Sequence, residues 1–167
     1  GAAAVVGDIS ASVWASVMQS PLLADGSTAA GSAVTLGMTR ILGEPRPFGR
    51  SMFPQDIETL ALAVVQAALR NGVVIATAES CTGGLVAGAL TGVAGSSAVV
   101  DRGFVTYSNA SKSELIGVPA ELIQTHGAVS EDVARAMVEG ALQHSRATLA
   151  VSITGIAGPG GGSEAKP

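Results

Sequence analysis

The sequence predicts an α/β domain of three layers, on three observations. Two continuous apolar runs rich in β-branched residues, 73–78 and 149–153, have the pattern of strands buried on both faces. Segments whose apolar residues recur at helical spacing alternate with them. Both runs end in glycine-bearing turns, as strands feeding helices do.

In chain order, residues 1–51 stand apart. Residues 1–39 carry only Asp8 and Asp25 as charges and are rich in Ala, Ser, Gly and Thr. Residues 40–50 form a Pro/Gly/Arg stretch that reads as a linker. Weak helical spacing around Ile9, Val13, Trp14 and Val17, and again over 34–38, lacks good caps. The segment reads either as a marginal extension or as a packed helical element. No function is legible in it.

Met52 opens a second unit, residues 52–167. Pro54 and Asp56 begin a helix. Ile57, Leu60, Ala61, Val64 and Ala68 line one face of it, and Asn71 with Gly72 closes it. The strand over 73–78 follows, then a tight turn over 79–84 and a helix over 85–90. A second strand is expected at 105–107 and a short helix at 119–125, stopping at His126 and Gly127. Ser130 is an N-cap, with Glu131 and Asp132 in the first turn. That helix runs through Val133, Met137 and Ala141 to His144 and Arg146. A third strand over 149–153 ends in a glycine-rich turn over 154–162. Three strands make a small sheet, so either residues 1–50 add to it or the domain continues past Pro167.

Composition narrows the function classes. Hydrophobic residues are 47% of the 167 but aromatics only 3%, so the core is built from Val, Ile, Leu and Ala. A net charge of -4 gives no basic footprint for nucleic acid or an anionic membrane. The single cysteine, Cys81, excludes an internal disulfide and a multi-cysteine zinc site, and fits a reducing compartment. His126 and His144 share no metal-ligand spacing with it, so no metal site is expected. The N-terminus lacks a basic region before its apolar residues and is not read as a signal peptide. No apolar run approaches the roughly 18–20 residues a bilayer span needs. The expectation is a cytoplasmic protein.

Ligands of open α/β sheets bind beyond the carboxyl ends of the strands, and three loops qualify. In 79–84, Ser80 sits in a strand-to-helix turn where backbone N–H groups can meet an anion or a developing oxyanion. Thr82, Gly83 and Gly84 shape that turn and let a ligand approach the backbone. Ser80 and Thr82 can equally be helix caps. Cys81 is a rival nucleophile with no histidine near it in sequence. In 107–112, Lys112 is one of only two lysines. A desolvated lysine near the Tyr107 hydroxyl can serve as a base. In 154–162, Thr154, Gly155, Gly158 and Gly160 form a loop that can cradle phosphate, although it is not a P-loop. Arg102, beside Asp101, is either half of an exposed pair or a guanidinium aimed at an anionic ligand.

At these loops the sequence resembles the CinA C-terminal family. The resemblance rests on residues 77–84 (TAESCTGG), 94–97 (AGSS), 102–109 (RGFVTYSN) with Lys112 following, 127–130 (GAVS) and 154–161 (TGIAGPGG). It covers residues 52–167. It implies a three-layer α/β/α sandwich with a mixed, mostly parallel sheet. It further implies hydrolysis of the carboxamide of nicotinamide mononucleotide (NMN) to nicotinate mononucleotide and ammonia, in pyridine nucleotide salvage, without metal or organic cofactor. The positions carried over are Ser80, Tyr107, Lys112 and Thr154. On this reading Ser80 attacks the amide carbon, and Lys112, assisted by Tyr107, relays the proton. Amides near Thr82 and Gly83 hold the oxyanion, and Thr154 with the glycine loop holds the nucleotide. Family members continue past Lys166 and Pro167 with another strand and a helical segment, and residues 1–51 match nothing in the family. The alternative reading is a non-catalytic nucleotide-binding or interaction module. The expected partner is a small-molecule nucleotide, not nucleic acid or membrane, and an incomplete apolar sheet edge favours a homo-oligomer.

Overall fold

The computed structural model describes residues 3–7 and 52–156. Four strands form one sheet, in chain order β1 (Ala3–Gly7), β2 (Ile75–Glu79), β3 (Val100–Val105) and β4 (Leu149–Ile153), and in spatial order β1-β4-β2-β3. All three pairings are parallel. The helices are α1 (Gln55–Asn71), α2 (Leu85–Thr91), α3 (Asn109–Ile116), α4 (Ala120–His126) and α5 (Glu131–Gln143).

The two central strands explain their own sequences. Every residue of β2 and of β4 is buried, because each strand has a neighbour on both edges and helices on both faces. On β4, Leu149, Val151 and Ile153 face a cluster built on Ala61, Val64, Val65 and Ala68 of α1 and Ala89 and Leu90 of α2. Ala150 points the other way, into Val133, Met137, Val138 and Ala141 of α5, with Ile116 of α3 and Ile123 of α4. The period of two along the strand thus divides the core into two halves.

Two close approaches fix the layers. A Cβ on Gly103 of β3 would lie 2.9 Å from both Ala87 Cβ and Thr77 Oγ1, so only glycine lets α2 sit this near the sheet. A Cβ on Gly140 of α5 would lie 1.9 Å from the Ile116 carbonyl oxygen, so α5 meets the end of α3 backbone to backbone.

Three elements differ from the sequence expectation. The second strand spans Val100–Val105 rather than 105–107. It is an edge strand of the described sheet, half exposed, so it carries Asp101, Arg102 and Gly103 and shows no continuous apolar run. Residues 109–112, expected as part of a loop over 107–112, begin α3, which is capped by the Ser108 hydroxyl accepting from Ser111 N. Ala3–Gly7, to which periodicity assigned nothing, lies beside β4 with Ala3 opposite Leu149 and Gly7 opposite Ile153. The weak helical spacing over 9–38 lies outside the described residues. Among the described residues no helix is long and apolar enough to cross a membrane.

Candidate active site

The parallel register places the site. Glu79, the last residue of β2, pairs with Val105 of β3 and Ile153 of β4, so all three strands end at one level. Ser80, Thr106 and Thr154 are the next residues along and lie side by side. Ser80 N donates to Ile153 O at 2.9 Å, and Thr106 N donates to Glu79 O at 2.7 Å. This is the crevice beyond the carboxyl ends of the strands, where α/β folds bind ligands.

Lys112 enters this crevice from the first turn of α3 and is 1% exposed. Its Nζ stands 3.0 Å from Ser80 Oγ and donates to the carbonyls of Thr106 at 2.8 Å and Tyr107 at 3.4 Å. Burial pushes its pKa down from the ordinary lysine value, with the nearby Cys81 thiol acting weakly the other way. A neutral amine has two N–H donors and one lone pair. In that form the two carbonyls would take both donors and the lone pair would face the Ser80 hydroxyl; with its proton on, Nζ donates to Ser80 Oγ as well. Ser80 itself is buried.

Cys81, the rival nucleophile, is held as a neutral thiol. Burial raises its pKa, outweighing the backbone N–H groups of Cys81 and Thr82 that converge on the sulfur and the charge of Lys112. Those two amides adjoin Ser80 and have no other acceptor among the described residues. The amide of Gly83 does not join them, because it donates to Ser80 O at 3.1 Å. Of the two amides expected near an oxyanion, that of Gly83 is thus engaged within the turn, while that of Thr82 lies beside Ser80 with that of Cys81.

Glu79 was not anticipated in the site. Its side chain is fully buried and accepts five hydrogen bonds. Oε1 takes Thr77 Oγ1 at 3.0 Å and Ala87 N at 2.8 Å. Oε2 takes Thr82 Oγ1 at 2.7 Å, Gly84 N at 3.1 Å and Val86 N at 3.0 Å. A charged residue closing an otherwise apolar strand, directly before a Gly-Gly turn, was the available signal. Thr82 and Gly84 are thus engaged inside the turn rather than open to a ligand. Gly83 and Gly84 hold φ values of +59° and +97°, which glycine adopts without strain.

The other anticipated residues divide. Tyr107 contributes its carbonyl, but its side chain is 73% exposed. The phenol is not on Lys112, because the chain leaving β3 buries Thr106 and turns its neighbour outward. Arg102 is not brought to the site. It sits near the opposite end of β3, where Nη1 donates to His144 O at 2.8 Å and Nε to Asp101 at 2.7 Å. Asp101 is the extra residue of a β-bulge, since Val100 pairs with Ile75 and Arg102 already with Ala76. Its carboxylate also accepts Arg146 N, Nε and Nη2. Thr154 lies at the crevice, half-buried, its hydroxyl donating to Ala128 O at 2.9 Å. This ties the loop over 127–130 to the rim. Gly155 is half-buried beside it, and Gly158 and Gly160 lie outside the described residues.

A family model described as the CinA C-terminal domain matches residues 57–167. The chain belongs to the CinA C-terminal domain family. It is 65% identical over 101 residues to a CinA-like protein of Mycolicibacterium gilvum, covering 60% of this chain and 24% of that protein. It is 53% identical over 120 residues to a CinA-like protein of an Anaeromyxobacter species, covering 72% of this chain and 29% of that one. It therefore spans less than a third of the length of these relatives. Among solved structures it resembles the competence/damage inducible protein CihA of Agrobacterium tumefaciens, at 58% identity and a TM-score of 0.67, over 71% of this chain and 72% of that one. A CinA superfamily protein of Klebsiella pneumoniae follows at 40% identity and a TM-score of 0.64, over 68% and 71%. These structures share the α/β fold described above.

Proposed function

We propose that the domain is an amidohydrolase that cleaves the carboxamide of NMN to nicotinate mononucleotide and ammonia. The observation that carries this reading is Lys112 Nζ, buried, 3.0 Å from Ser80 Oγ. A serine with a desolvated amine in hydrogen-bond reach is an activated nucleophile. The choice of NMN comes from the family resemblance.

The cycle balances with these residues. Ser80 Oγ bonds to the amide carbon while its proton passes to Lys112 Nζ. The carbonyl oxygen becomes an oxyanion facing the Cys81 and Thr82 amides. Lys112 returns the proton to the leaving nitrogen, the C–N bond breaks, and ammonia departs from an acyl-Ser80 ester. Water then attacks the ester, its proton going to Lys112 and on to Ser80 Oγ as the acid leaves. Thr154 borders the same crevice, and on this reading it holds the nucleotide.

The test is ammonia release from NMN by the purified chain, by a version extended to the length of the family domain, and by Ser80→Ala in each. Turnover abolished by Ser80→Ala in a folded protein supports the reading. Near-normal turnover by Ser80→Ala refutes the nucleophile. NMN binding without ammonia release by either length identifies a nucleotide-binding module instead.

A further inference from the structure

The turn that presents Ser80 contains a buried carboxylate that the chemistry above does not use. Glu79 is one residue from the nucleophile, yet its side chain points away from the substrate crevice into the start of α2. All five groups that meet it are donors, two hydroxyls and three amides. The matching side chain must accept at both oxygens, which a carboxylate does and a carboxamide does not. The donors come from both sides of Ser80. Thr77 lies before it in β2, Thr82 and Gly84 lie in the turn after it, and Val86 and Ala87 lie in α2. The free amides at the start of α2, which would otherwise be open to an external anion, are occupied from within.

We infer that Glu79 is a positioning residue, whose buried carboxylate cross-links β2, the turn and the first turn of α2 and so fixes Ser80 Oγ against Lys112 Nζ. The inference rests on the reading of Ser80 as the nucleophile. Its geometric content is separate from the identity of the substrate. Lys112 is itself anchored, by Thr106 O and Tyr107 O on the far side. The 3.0 Å separation therefore depends on the turn staying where Glu79 holds it. A displacement of about 1 Å at a reacting atom costs on the order of a hundredfold in rate.

The experiment uses the full chain and a fluorophosphonate probe. Ser80 Oγ forms a bond to phosphorus, fluoride leaves, and the hydroxyl proton passes to Lys112. Labelling rate is followed by intact mass and the site by peptide mapping, across pH. In the wild type the rate should rise with pH as Lys112 loses its proton. Glu79→Gln, which sets a donor against amide donors, should label about a hundredfold more slowly, with the pH dependence flattened. A merely structural role would lower the unfolding temperature and leave the rate and profile of the folded protein unchanged.

Thr77→Val guards against a Glu79→Gln protein that does not fold. It removes one donor at nearly constant volume, far from the substrate, and should slow labelling about fivefold, the factor of one ordinary hydrogen bond. A folded Glu79→Gln labelling at the wild-type rate overturns the inference. If Glu79→Gln does not fold, a folded Thr77→Val with unchanged rate and profile overturns it equally. A wild type labelled slowly or elsewhere than Ser80 removes the nucleophile reading itself, and that outcome is distinct from either.

Discussion

Replacing Lys112 with methionine should separate the proposed catalysis from stability at the centre of this site. Lys112 is 1% exposed, and its Nζ touches Ser80 Oγ, Thr106 O and Tyr107 O. Methionine retains most of the buried stem and deletes the amine. Two carbonyls lose a buried donor, a cost of about 1–3 kcal/mol for each group left unpaired. Removing a desolvated amine offsets part of that, so the variant should fold. Ser80 loses its only proton acceptor among the described residues. A positioned general base contributes about 10²- to 10⁴-fold, or roughly 3–5 kcal/mol of barrier.

The assay is kcat/KM for ammonia release from NMN against pH, with circular dichroism to confirm folding. The wild-type rate should rise as pH passes through an apparent pKa below the ordinary lysine value of 10.5. The variant should be slower by the factor above and lack that rise. A folded Lys112→Met protein within about tenfold of wild type, a loss of only about 1.4 kcal/mol, would refute the assignment. The same titration should appear in stability. The folded pKa is lowered, so the unfolded chain binds more protons between the folded value and 10.5. Wild-type stability should therefore increase with pH across that window, and the variant should lack the increase.

Gly140→Ala would place a methyl 1.9 Å from the Ile116 carbonyl oxygen. Backbone atoms must then separate, and a loss of about 3 kcal/mol or more is expected in urea unfolding; an unchanged midpoint would mean that α5 and α3 do not meet this closely. Asp101 is held down to a pKa of about 2, chiefly by the Arg146 side chain and then by its backbone N–H. Its contribution to stability should be present above the ordinary aspartate value and fade as pH falls through about 2. The urea midpoints of wild type and Asp101→Asn should accordingly differ at pH 6 and converge near pH 2; a difference that persists there would refute the linkage.

The sequence reading succeeded where local pattern and burial coincide. Strands β2 and β4 are apolar throughout because they are central in the sheet, and α1 and α5 show apolar spacing because each buries one face. It failed where tertiary context overrides the local signal. The edge strand β3 needs only partial burial and hides behind Asp101 and Arg102. Helix α3, with the sequence NASKSELI, has no apolar stripe and owes its start to the Ser108 cap. The partner of Ala3–Gly7 lies more than a hundred positions away in sequence, where no periodicity can point to it. Arg102 illustrates the same limit within the site, since its type suggested an anion ligand while the bulge at Asp101 committed it elsewhere.

The sequence by itself determined the α/β class, the two buried strands, the turn that carries Ser80, and the family. It did so because hydrophobic period and turn chemistry act over a few residues. Only the tertiary structure decided that Lys112, thirty-two positions from Ser80, reaches it at 3.0 Å. It alone decided that the Tyr107 ring stays outside, and that Glu79 rather than a ligand fills the start of α2. Those contacts depend on the parallel register that ends β2, β3 and β4 at one level, and register is a property of packed strands that no single segment contains.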